Sequence, residues 1–204
     1  MRNTSLKLLI TSLILAVSSV FSIANANLIT TSFAGGNSNE GAMFDLSVLS
    51  SDINVTGVDL NFDDIGSTTI EVYTRIGGYA GFESDPSAWT LMSSIVVGTT
   101  NSMGSATFLD LTDFELLAGT TYGMYFYSTN HSVDVAYTDG SNTFTNDDVS
   151  ISTGVGINEF HNGVFNSRTW NGSIYYDVNE VPEPSTLAIF ALALMGFASR
   201  RVKK

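Results

Sequence analysis

Between Asn27 and Glu180 the apolar positions recur with a period of two. Val58, Leu60 and Phe62 alternate with polar neighbours, as do Ile70, Val72, Thr74 and Ile76, and later Tyr122, Met124 and Phe126. Side chains two residues apart on an extended chain point the same way, so each set predicts one buried face of a strand. Further β-type runs occupy Ala42 to Leu49, Trp89 to Val97, Ala106 to Leu111, Val133 to Thr138, Val149 to Ser152 and Ser173 to Val178. Asp139-Gly140, Gly77-Gly78, Asn162-Gly163 and Asn171-Gly172 fall between such runs. Hairpins or short loops are expected there, because Gly and Asn tolerate positive φ. Phe114 to Leu117 is the one stretch short and apolar enough to suggest a helical turn, and nothing else in the body has a helical period, which argues against a parallel α/β fold. The body shows no repeat of the kind that builds solenoids or propellers. The expectation is an all-β protein: an antiparallel two-sheet β-sandwich of about nine strands, jelly-roll-like, with an immunoglobulin-like order as the alternative.

The two ends break this pattern. Arg2 and Lys7 precede an apolar run from Leu8 to Ile23, and Ala24-Asn25-Ala26 offers the small residues a signal peptidase accepts. Residues 1–26 are therefore expected to be a signal peptide with a helical core, cut after Ala26. At the other end Leu187 to Ala198 is an apolar helix candidate, followed by Arg200, Arg201, Lys203 and Lys204. At about 1.5 Å per residue that run reaches about 18 Å, well short of the roughly 30 Å hydrocarbon core. It suits a transient inner-membrane anchor better than a permanent transmembrane helix, and the basic clusters at both ends stay on the cytoplasmic side.

Val181-Pro182-Glu183-Pro184-Ser185, the apolar run and Arg200-Arg201 together resemble the PEP-CTERM sorting signal. The resemblance implies that Pro182, Glu183, Pro184, Arg200 and Arg201 form the sorting motif of residues 181–204. It further implies that an exosortase cuts near the motif, and that the body reaches the surface or extracellular matrix of a Gram-negative bacterium. From Thr69 onward the body also resembles, more loosely, the β-rich exported domains found ahead of such tails. The matching pieces include Val72-Tyr73-Thr74-Arg75, Ala88-Trp89-Thr90-Leu91 and Arg168-Thr169-Trp170-Asn171-Gly172. They bring a scaffold and no established activity.

Charge divides along the same lines. Six of the eight Lys and Arg residues lie in the end segments, leaving Arg75 and Arg168 to face all twenty Asp and Glu between Asn27 and Thr186, a formal charge of −18 on that span. Nucleic-acid binding draws on Lys and Arg clusters that are missing here, so neither nucleic acid nor an anionic membrane surface is an expected partner. The chain has no cysteine, so a body of about 155 residues between the targeting segments, residues 27–180, must fold as one domain on its core alone.

Candidate chemistry is sparse. There is no Gly-x-Ser-x-Gly elbow, and the two histidines, His131 and His161, both stand in polar, turn-like sequence. Glycoside cleavage would need two facing carboxylates, for which Glu71, Glu83, Asp85, Glu115 and Glu159 qualify by type alone. Carbohydrate binding without cleavage needs exposed rings, and Trp89, Trp170, Tyr79 and Tyr137 are the candidates, against the alternative that these rings fill the core. Asp63-Asp64 and Asp147-Asp148 are candidate calcium ligands, although neither follows the twelve-residue loop pattern. Arg75 and Arg168 should each pair with a carboxylate. The expected function is that of an exported, surface-sorted protein with no catalytic role and no obligate cofactor, its partners being signal peptidase, exosortase and exopolysaccharide. A polysaccharide-active hydrolase and a purely structural envelope protein remain the alternatives.

Overall fold

The computed structural model describes residues 27–160 and 163–179; the expected signal helix and sorting helix lie outside them. The described chain forms thirteen strands: β1 (Asn27–Thr30), β2 (Asn37–Asn39), β3 (Gly41–Val48), β4 (Ile53–Leu60), β5 (Thr68–Ile76), β6 (Thr90–Val97), β7 (Thr107–Leu116), β8 (Thr121–Ser128), β9 (Val135–Asp139), β10 (Phe144–Thr145), β11 (Val149–Ile157), β12 (Val164–Trp170) and β13 (Gly172–Val178). A single 3-10 turn, Pro86–Ala88, precedes β6. The described residues are all-β, and every pairing among them is antiparallel.

A small sheet has the order β1-β13-β4-β7, and a large one runs β2-β9-β12-β11-β3-β8-β5-β6 with β10 added on β11. Consecutive strands pair only at β5–β6, β10–β11 and β11–β12, so the chain repeatedly crosses between the sheets. One core joins the two layers. Ile29, Val58, Leu109 and Ile174 come from the small sheet and Phe44, Val72, Phe126 and Ile151 from the large one. Period two accounts for this, because Tyr122, Met124 and Phe126 of β8 enter the core while Tyr125 and Tyr127 leave by the other face.

One expectation is corrected and another narrowed. Phe114, Glu115 and Leu116 make no helical turn but end β7, where Val55 pairs with Phe114 and Ile53 with Leu116. Long-range pairing overrides a short local preference. At Asn171-Gly172, where a hairpin or a short loop is expected, the structure has the short loop, a one-residue link between β12 and β13 in different sheets. Asn171 is fully buried, accepting from the Gly35 N–H at 2.8 Å and from Thr138 Oγ1 at 3.0 Å, and donating to the Thr169 carbonyl at 3.0 Å. Its amide thus satisfies the backbone where the chain changes layer. Gly172 has no positive φ; it is there because a Cβ would overlap the Asp59 carbonyl and the Trp170 ring. Gly77, Gly78, Gly140 and Gly163 do take positive φ, as turn residues should.

Candidate functional site

The four rings picked out as candidates are mostly interior. Trp170, at 2 % exposure, stacks on Phe44 at 4.7 Å and on Phe126 at 5.2 Å, two rings that also touch each other. Tyr137, at 1 %, donates its hydroxyl to the Ser38 carbonyl at 3.0 Å. Trp89, at 7 %, belongs to a second apolar layer on the outer face of the large sheet, with Met43, Tyr125, Tyr127, Val155, Ile157 and Phe160. Its indole N–H donates to the Phe82 carbonyl at 2.9 Å, which ties the ring to the loop between β5 and β6. Tyr79, in that loop, is the half-buried exception. The fold brings Trp89 and Tyr79 together and places Trp170 and Tyr137 on the opposite side of the sheet, so the four do not form an exposed stacking surface.

The loop over this outer layer is held electrostatically. Tyr79 N–H donates to Asp45 Oδ1 at 2.8 Å, and the Arg75 guanidinium lies 3.5 Å from the centre of the Phe82 ring. Burial pushes the Asp45 carboxyl up, while the Tyr79 hydrogen bond and the charge of Arg75 pull it back. Arg75 therefore has an aromatic partner where a carboxylate was expected, with no ion pair within 4 Å among the described residues. Arg168 has its carboxylate: Nε lies 3.1 Å from Asp139 Oδ1, too poorly aligned for a hydrogen bond.

The acidic candidates scatter. Asp63 accepts from Asp134 N–H at 2.8 Å and Ser38 Oγ at 3.0 Å, and Asp64 accepts from its neighbour Ile65 at 2.7 Å. Asp148 accepts from the Tyr176 hydroxyl at 3.1 Å, and Asp147 is an exposed turn residue. Among the described residues no three His, Asp or Glu converge as a metal would require. Asp85 caps the 3-10 turn through Ser87, Glu71 accepts from the Tyr73 hydroxyl at 2.5 Å, and Glu115 accepts from Asn179 at 2.8 Å. Glu159 and Glu71 share their surroundings with Glu40, which sequence reasoning passed over. These carboxylates, behind burial as the first cause, hold the Tyr127 hydroxyl up at about 12. Glu40 also meets His131 Nδ1 at 2.6 Å; His161 lies outside the described residues. A pocket of about 340 Å³ opens where β5, β6 and β7 meet, and Glu115 is the one carboxylate in its wall.

A different aromatic pair faces solvent. On the outer face of the small sheet the Phe108 ring, 57 % exposed, meets Tyr175 edge to face at 5.3 Å. Phe108 folds back across Gly57, where a Cβ would come within 2.8 Å of its ring, so the glycine leaves the floor on which the ring lies. Tyr175 donates to Asp59 Oδ2 at 2.8 Å, and Leu28, 46 % exposed, stands opposite Tyr175 in the β1–β13 register. Asp59 accepting that bond is the first reason the Tyr175 hydroxyl is raised, ahead of burial. Sequence reasoning missed this pair because Phe108-Leu109 and Tyr175-Tyr176 each put one ring or side chain in and one out. The pattern alone does not say which faces the core.

The first and last described strands lie side by side, Asn27 opposite Tyr176, so the described chain begins and ends at one end of the small sheet. No curated protein matches the chain. Residues 180–203 match the family model of the PEP-CTERM protein-sorting motif, beginning two residues after β13 ends at Val178. The chain thus carries a PEP-CTERM sorting signal, the mark of an exported protein handled by exosortase.

Proposed function

We propose that this protein is a noncatalytic component of the cell surface or extracellular matrix of a Gram-negative bacterium, whose jelly-roll-like β-sandwich body binds exopolysaccharide. The observation that carries the binding half is the solvent-facing Phe108–Tyr175 pair, with the exposed Asp110 two residues along β7 from Phe108 as a carboxylate able to accept from sugar hydroxyls. In the pocket between β5, β6 and β7 the one carboxylate, Glu115, accepts from Asn179, so that pocket does not supply the two facing carboxylates glycoside cleavage uses. No cofactor is required by this reading; calcium enters as a variable.

The test is retention of the full chain, in detergent, on exopolysaccharide from its own host, with and without calcium, while polymer length is followed. Retention without shortening is expected. Shortening would replace the proposal with a hydrolase, and absence of retention would leave a structural envelope protein. Sorting is tested separately in the host by Glu183→Ala, which should leave the tail attached as read by intact mass.

A further inference from the structure

We infer that the outer face of the small sheet binds a glycan of amino sugars whose free amines carry positive charge. This rests on the proposal that the body binds carbohydrate, and adds where and which class. β1, β13, β4 and β7 contain no Lys or Arg, but five acids: Asp59, Asp110, Asp113, Glu115 and Asp177. All five occupy outward positions; Asp110, Asp113 and Glu115 are exposed, Asp177 is half-buried, and Asp59 is itself buried and accepts from the Tyr175 hydroxyl. The inward positions of the same strands are Ile53, Val55, Val58, Leu60, Leu109, Leu111, Phe114, Leu116, Ile174 and Tyr176.

The register draws the face together. Leu28, Tyr175, Gly57 and Asp110 follow one another across the four strands, and Ser173, Asp59 and Phe108 form the next row. The aromatic pair therefore sits among the carboxylates. An aromatic ring offers a sugar's C–H face an apolar contact and attracts a cation held over it. Carboxylates bond an ammonium more strongly than a neutral hydroxyl, and the same charges repel a uronate polymer. A neutral glycan would use the rings and leave the exposed Asp110, Asp113 and Glu115 without a counter-charge; an amino-sugar glycan uses both.

The full chain in detergent is titrated with a fully deacetylated glucosamine oligomer, its N-acetylated counterpart of equal length, and polygalacturonate. The deacetylated oligomer should bind at least about tenfold tighter than the acetylated one, a difference of about 1.4 kcal/mol, and its affinity should fall as salt rises. Phe108→Ala should weaken it about tenfold or more, and Asp110→Asn with Asp113→Asn should weaken it and flatten the salt dependence. Both variants change exposed side chains, and an unchanged melting temperature confirms the fold. Equal binding of the acetylated or the anionic polymer would overturn the charge assignment while the carbohydrate reading stands. Undiminished binding by Phe108→Ala would overturn the location. No binding of these probes, with retention on host exopolysaccharide intact, would overturn this inference alone; failure of both would remove the reading beneath it.

Discussion

Trp170 lies nearly parallel to Phe44, with ring centres 4.7 Å apart and planes 14° from each other, and Phe126 stacks beside the same indole at 5.2 Å. β12 and β3 supply the first two rings and β8 the third, so one indole ties together strands distant in sequence. Its N–H has no hydrogen-bond partner among the described residues. Trp170→Ala should cost about 3–5 kcal/mol by leaving a ring-sized cavity. Trp170→Phe, which keeps a stackable ring and removes the unpaired donor, should cost clearly less. Urea denaturation of both variants checks the order, and equal losses would mean that a phenyl ring cannot take the indole's place between these strands.

The same residue shows what was legible in the chain. β4, β5 and β8 stand out in the sequence because their inward sets, such as Tyr122, Met124 and Phe126, keep alternation. β1, β2, β10 and β12 are short or largely polar, as in Asn37-Ser38-Asn39, and their existence depends on partners far along the chain. Trp89 and Trp170 read alike as strand aromatics, yet one seals the outer layer and the other the core, because the large sheet is covered on both faces. Phe108 was concealed for a related reason. Adjacent apolar residues fit either phase of the alternation, and only the partner strand decides which faces water.

Gly154 sits where β11 bulges against β3, and a Cβ there would overlap the Met43 carbonyl oxygen and crowd the Phe44 Cα. A backbone obstacle cannot rotate away as a side chain could. Gly154→Ala should therefore destabilise by about 3 kcal/mol, at the upper end for overpacking. Gly98→Ala, where nothing lies within 4 Å of the added methyl, should stay within about 0.5 kcal/mol of the parent. Paired thermal melts make the comparison.

Asp134 gives the protein a pH dependence. Its carboxyl is pushed up to about 6, first by burial and then by Asp63 and Glu40, against a smaller opposing pull from His131. One of its oxygens, Oδ1, is buried without a hydrogen-bond partner. The folded state thus holds this proton more tightly than the unfolded chain does. The stabilisation is fully present below about pH 4 and is lost as pH rises through about 6. Asp134→Asn should match the parent near pH 4 and exceed it at pH 7.5 by about 1 kcal/mol, a figure reduced for the screening of a half-exposed group. Urea midpoints across that range measure it, and parallel curves for the two proteins would reject the assignment.

Gly123 decides whether the loop between β5 and β6 can lie on the sheet. A Cβ at this β8 position would come 2.8 Å from the Tyr79 nitrogen and 2.9 Å from the Gly78 carbonyl carbon, both backbone atoms of that loop. Gly123→Ala must lift the loop or shift β8. β8 is paired on both sides, with β3 and with β5, whereas the loop is held by the Asp45–Tyr79 hydrogen bond, the Arg75–Phe82 contact and the buried Trp89 ring. The loop should therefore yield first. Chymotrypsin should then cut after Tyr79 and Phe82 at a rate well above that of the parent, while the urea midpoint falls by less than in Gly154→Ala, since the core between the sheets is untouched. Cleavage spread evenly along the chain would instead mean that β8 moved and that the loop is as firmly held as the sheet beneath it.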